Sequence, residues 1–74
     1  MDIASMLQKN IKQLRLENNL TQDKLASLIG IRTVYYSRYE TGARQIPYDV
    51  LLKLADFYDV SLDEIFERNE KYYR

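Results

Sequence analysis

Residues 21–40 read TQDKLASLIGIRTVYYSRYE, and their spacing decides the fold. Leu25, Ala26 and Ile29 stand at i, i+1 and i+4, which places them on one face of a short helix. Ile31, Tyr36 and Tyr39 can fall on the inner face of the helix that follows. Ala26 is small where two helices would cross closely. Gly30 sits where the chain reverses, and it takes a positive φ without the clash that a Cβ would bring. The stretch is expected to form two short helices meeting at a tight turn, the second with its own set of outward polar residues.

Working outward, the flanks also read as helices. Ile3, Leu7, Ile11 and Leu14 recur at i, i+4, i+8 and i+11, predicting an amphipathic first helix of about fifteen residues that stops near Asn18 and Asn19. Asparagine tolerates the left-handed conformation that closes helices. Thr21 is a natural N-cap for the second helix. The segment TGARQIP, 41–47, is a loop with Gly42 as its flexible point and Pro47 suited to a helical first turn. A fourth helix is expected to bury Tyr48, Leu51, Leu52, Ala55 and Tyr58, and to break at Asp59-Val60. Ser61 and Glu64 form an S-x-x-E capping box opening a fifth helix, with Leu62, Ile65 and Phe66 inward. Together these make a single all-α domain over 1–74, with a core at 7–66 and a polar tail, ERNEKYYR, at 67–74.

Composition removes several classes of function. The chain of 74 residues contains neither cysteine nor histidine. That excludes disulfides, a thiolate nucleophile, and the commonest general base and metal ligand. Without a Gly-rich phosphate loop, and with carboxylates scattered on exposed faces, no catalytic constellation assembles, so an enzyme is not expected. Nor is a cofactor or a metal. The N-terminus, MDIASMLQKN, lacks the pattern of a secretory signal. No apolar run approaches the roughly 18 residues needed to span a bilayer. The expected location is the cytoplasm.

A helix pair like that of 21–40 is the pattern of a helix-turn-helix, whose second helix can lie in the major groove of DNA. Zero net charge argues against that use, because phosphate neutralisation usually shows as a basic domain. The distribution answers part of the objection. Residues 1–47 carry seven cations against four anions, and residues 48–74 carry four against seven. The basic part contains the helix pair, and the acidic part is expected to face away from DNA. A weak non-specific affinity and a modest salt dependence follow.

The stretches IKQLR, LTQDKLASLIGI, SRYETGAR and LLKLADFYDVSLDEIF, in this order and separation, resemble the lambda-repressor-like helix-turn-helix regulators of the Cro/CI or Xre type, over about residues 7–66. The resemblance implies a five-helix domain that binds double-stranded DNA as a homodimer and regulates transcription, as a repressor, in bacteria or their phages. Two positions depart from the family pattern. Arg32 stands where Ser or Thr usually caps the recognition helix, so Thr33 is expected to take over with the helix starting one residue later. Asp59 stands where glycine is common, so that turn is expected to carry slight strain.

Roles follow from the pattern combined with groove chemistry. Arg38 is the candidate for bidentate contact to guanine O6 and N7, with Arg32, Thr33, Val34 and Ser37 as further base-contacting residues. Thr33 can hydrogen-bond a base or meet a thymine methyl; Val34 can only meet the methyl. Arg32 is within reach of either a base or a phosphate. Gln22 at the start of the second helix, Tyr35 at the edge of the third and Arg44 beyond it are expected to contact phosphates. Among the seven tyrosines, Tyr36 and Tyr39 are expected in the core with their hydroxyls reaching the surface. The family pattern also brings Arg15 and Glu40 together as a partly buried salt bridge. Dimerisation is expected through the fifth helix and the loop before the fourth, using Ile65, Phe66, Tyr72 or Tyr73. The alternative is that this fold serves as a protein-interaction module, antitoxin-like or as the partner of an anti-repressor.

Overall fold

Helix boundaries fall where the local chemistry puts them. The computed structural model describes residues 2–66. Within them run α1 (Ile3–Glu17), α2 (Gln22–Ile29), α3 (Thr33–Thr41), α4 (Tyr48–Tyr58) and α5 (Leu62–Phe66). None of these helices is long and apolar enough to cross a membrane.

Side-chain caps start three of the five. The Asp2 carboxylate accepts from the Ser5 N–H at 2.8 Å, a cap not anticipated above. Thr21 Oγ1 accepts from the Lys24 N–H at 3.0 Å. The capping box forms in both directions, Glu64 N to Ser61 Oγ at 3.0 Å and Ser61 N to Glu64 Oε1 at 3.3 Å. Each bond satisfies a helix-terminal donor that has no intrahelical partner.

The two remaining starts differ from expectation. Pro47 occupies the N-cap of α4 rather than its first turn, with φ −65° and ψ 154°. An extended ψ fits the residue that precedes a helix. Thr33 does not cap α3: the N-cap is Arg32, in extended conformation and without a side-chain cap hydrogen bond. An arginine has no acceptor to offer a backbone N–H. Thr33 is already helical, one position too far along to do the work.

Three helices end alike. Asn19, Gly30 and Asp59 adopt φ of 58°, 78° and 56°. Beyond each, a backbone N–H reaches back five residues: Leu20 to Arg15 at 3.1 Å, Ile31 to Ala26 at 2.9 Å and Val60 to Ala55 at 3.0 Å. This closure absorbs terminal carbonyls and turns the chain sharply. Gly30 has no Cβ to strain, whereas Asp59 does, as the family pattern implied.

The core takes one face of every helix: Leu7, Ile11 and Leu14 from α1, Leu25, Ala26 and Ile29 from α2, Tyr36 and Tyr39 from α3, Val50, Leu51, Leu54 and Ala55 from α4, and Ile65 from α5. Leu62 and Phe66 pack against it half-buried. Three expected core members are exposed, namely Ile3, Tyr48 and Leu52. In α4 the inward face runs through 50, 51, 54, 55 and 58, so Tyr48 and Leu52 lie on the adjoining, outward stripe. Ile3 belongs to the first turn of α1 and overhangs the groove lined by Leu7, Ile46, Leu51 and Phe66.

One polar side chain holds α5 in place. Asn10, 3% exposed, donates through Nδ2 to the carbonyls of Ile65 at 2.8 Å and Phe66 at 3.3 Å. Its target is the backbone at the end of the described part of α5, where Ile65 is fully buried. Asn10 thus links α1 to α5 through a buried bond and a part-buried one.

Replacing Asn10 with Ala is expected to destabilise the domain by about 0.5–1.5 kcal/mol, the net contribution of a typical intramolecular hydrogen bond. Urea unfolding followed by circular dichroism measures it, and unchanged stability would refute the role. Asp59→Gly is expected to raise stability by about 0.5–1 kcal/mol by relieving the left-handed strain, seen as a higher Tm.

Candidate nucleic-acid interface

The relation of α3 to the rest of the domain determines which of its side chains are free. Ala26, fully buried, lets α2 and α3 approach closely across the Gly30 turn. Tyr36, Tyr39 and Glu40 face inward. The opposite face carries Arg32, Val34, Tyr35 and Arg38, all exposed, with Thr33 and Ser37 half-buried at its margins. Val34 is 49% and Tyr35 38% exposed, so apolar groups stand on the outer face of α3 as well as on the inner one. Burying these two outward residues against a partner surface would be favourable.

Past the helix, the loop folds back on α3. The Arg44 N–H donates to the Arg38 carbonyl at 3.3 Å, and Thr41 Oγ1 donates to the same carbonyl at 3.2 Å. Gly42 takes φ 85°, and a Cβ there would strike the Gln8 side chain at 2.6–2.8 Å. The loop therefore passes close over α1, and the exposed Arg44 side chain lies just beyond the α3 C-terminus.

Beneath α3 lies the expected ion pair, more deeply buried than anticipated. Arg15 Nε meets Glu40 Oε2 at 2.6 Å and Nη2 meets Oε1 at 3.1 Å, with the side chains 10% and 3% exposed. The third arginine nitrogen is used as well, Nη1 to the Leu20 carbonyl at 2.7 Å. Burial of the Glu40 carboxylate works against its charge, but the hydrogen bonds from Arg15 and Gln22 outweigh it and hold the group below the ordinary glutamate range. The Glu40 hydrogen bond likewise raises Arg15 against the effect of its own burial.

Tyr36 corrects one expectation. Its side chain is fully buried, and its hydroxyl stays inside, beside Glu40 but outside good hydrogen-bonding geometry. Burial, then the neighbouring carboxylate, pushes its phenol strongly upward, so it remains neutral. α3 lies too close to the core for a tyrosine at this position to reach solvent.

Gln22 is half-buried, and its amide faces inward. Nε2 donates to Glu40 Oε1 at 3.0 Å, a contact that the spacing of residues 22 and 40 gives no hint of. Among the residues expected at a dimer interface, Ile65 is fully buried in the domain's own core and has no surface to offer. Phe66 is half-buried beside the groove. Tyr72 and Tyr73 lie outside the described residues.

Comparison with known families agrees with this geometry. The helix-turn-helix family model matches residues 11–65, from the middle of α1 to α5. The chain belongs to the lambda-repressor-like helix-turn-helix family. Among curated relatives of this family, the uncharacterized HTH-type transcriptional regulator YqaE of Bacillus subtilis is 37% identical, over 93% of this chain and 61% of its own length. The cryptic phage CTXphi transcriptional repressor RstR of Vibrio cholerae is 34% identical over 88% of this chain and 59% of its own. The control protein C.SmaI of Serratia marcescens is 31% identical over 92% and 81%. The chain thus spans about three-fifths of the length of relatives such as YqaE and RstR. No solved structure gives a significant match.

The Glu40 environment sets an acid limit on stability. A carboxylate held below its ordinary value of 4.5 contributes fully above that pH, and the contribution is lost as pH falls through its lower native value. Thermal unfolding between pH 7 and pH 2 is expected to show Tm falling in the acid range, with a shallower fall in Glu40→Gln. Parallel curves for the two proteins would contradict the assignment.

Proposed function

We propose that this chain is a sequence-specific binder of double-stranded DNA that regulates transcription, acting as a repressor in the bacterial cytoplasm. The observation that carries this reading is the division of α3 into a buried face of Tyr36, Tyr39 and Glu40 and an exposed face of Arg32, Val34, Tyr35 and Arg38. Helices of this kind enter the major groove, where side chains meet base edges.

In this reading Arg38 donates two parallel N–H groups to O6 and N7 of a guanine, and Val34 packs on a thymine methyl. Thr33, Ser37 and Arg32 complete the base-contacting set. Gln22, Tyr35 and Arg44 hold phosphates on either side and fix the register. One α3 reads only a few base pairs, so two copies on a pseudo-palindrome, with half-sites about 10 base pairs apart, supply the rest of the specificity. Phe66 and the loop before α4 are the proposed contact between copies. The relatives' names support the regulatory reading: two are transcriptional regulators or repressors, and a third is a control protein.

Selection from a random duplex library is expected to enrich a two-fold-symmetric site. Arg38→Ala is expected to lose about 1–3 kcal/mol of discrimination at one guanine per half-site, leaving the other positions unchanged. Competition binding with single-base variants of the selected site measures it. Absence of any enriched sequence at low salt would overturn the reading in favour of a protein-interaction module.

A further inference from the structure

We propose that Glu40 is a positioning residue for the phosphate contact of Gln22, through a hydrogen-bonded chain that runs from Arg15 to the DNA backbone; this rests on the DNA-binding reading above. Glu40 Oε1 sits between two donors, Arg15 Nη2 at 3.1 Å and Gln22 Nε2 at 3.0 Å. Oε2 is taken by Arg15 Nε at 2.6 Å. The carboxylate is 3% exposed and is itself fixed by the planar fork of the arginine.

An ionised carboxylate is acceptor-only. It therefore selects one of the two orientations of the Gln22 amide, the one that turns the NH2 group towards Glu40. A primary amide nitrogen carries two hydrogens. Glu40 takes one, and the other is left to donate to a phosphate oxygen. The reverse orientation would set Oε1 against the carboxylate, two acceptors facing each other, and offer the phosphate no donor in the same place. Pre-setting a long side chain also removes rotamer entropy that binding would otherwise have to remove. The same residue that anchors α3 to α1 would thus aim a group on α2.

The test is a double-mutant cycle on DNA affinity with the selected duplex, using the wild type, Gln22→Ala, Glu40→Gln and the double variant, each checked for folding by thermal unfolding. A hydrogen bond to a charged group corresponds to roughly ten- to a hundredfold in affinity. Gln22→Ala is expected to lose that factor and Glu40→Gln a large part of it. The double variant is expected to bind no worse than Gln22→Ala, and base preference to stay unchanged in Gln22→Ala. A purely structural role for Glu40 predicts losses that multiply, and that result would overturn the proposal.

Should Glu40→Gln fail to fold, side-chain amide NMR of the wild type decides. The Gln22 NH2 group is expected to be rigid in the free protein, with one proton shifting on addition of duplex, unlike the exposed Gln13 on α1. A Gln22 amide as mobile as that of Gln13 would overturn the positioning role. Absence of duplex binding by the wild type would instead remove the DNA-binding reading, and the proposal with it.

Discussion

The buried pair of Arg15 and Glu40 is the constraint on which the arrangement of α1, α2 and α3 depends. Moving an ion from water into a protein interior carries a penalty of several kcal/mol, which only good geometry and full hydrogen bonding offset. Here every guanidinium nitrogen and both carboxylate oxygens have a partner. The guanidinium forks the carboxylate, spends its remaining edge on the Leu20 carbonyl, and the carboxylate takes a further donor from Gln22. Four segments are thereby joined at one point: the C-terminal turn of α1, the connection at Leu20, the start of α2 and the end of α3. A pair of this kind adds little net stability compared with an apolar substitute. Its fork ties the end of α3 to the last turn of α1, beneath the exposed face of α3.

A domain of this size cannot rely on core area alone. Its economy lies in the helix ends. Asn19, Gly30 and Asp59 each close a helix in the left-handed region and redirect the chain within two residues, so little backbone is left outside regular structure between α1 and α3 or between α4 and α5. Asn10 serves the same end by tying α1 to the Ile65 and Phe66 carbonyls of α5. Polar groups in this interior thus do the work of orientation, while Leu25, Leu54, Ile11 and Ile65 supply the burial.

The division of α3 into two faces links stability with function. Its inner face is occupied by large and charged groups that must be buried to be satisfied, which leaves Val34 and Tyr35 in water. Those two side chains lie outside the buried core cluster. They are available to a partner surface, and their neighbours Arg32 and Arg38 give that surface its charge preference. The Glu40–Gln22 contact extends the same logic to α2, since a buried carboxylate determines which way a half-buried amide points.

The sequence by itself determined the helices and most of their ends, because these are set by neighbours a few residues apart. The period of Leu7, Ile11 and Leu14, the cap at Thr21, the turn at Gly30 and the box of Ser61 and Glu64 are all local, and all four were legible. The Arg15–Glu40 pair was legible only through the family pattern. Where one helix rests on another was not readable, because it depends on contacts between residues distant in the chain. Tyr48 and Leu52 fit an amphipathic pattern in α4 as well as Val50 and Leu54 do, and only packing against α2 and α5 decides which stripe is buried. The Tyr36 hydroxyl, the Asn10 bonds to α5 and the inward turn of Gln22 are likewise products of tertiary structure. Each follows from what stands opposite the side chain in space, and sequence spacing does not encode that.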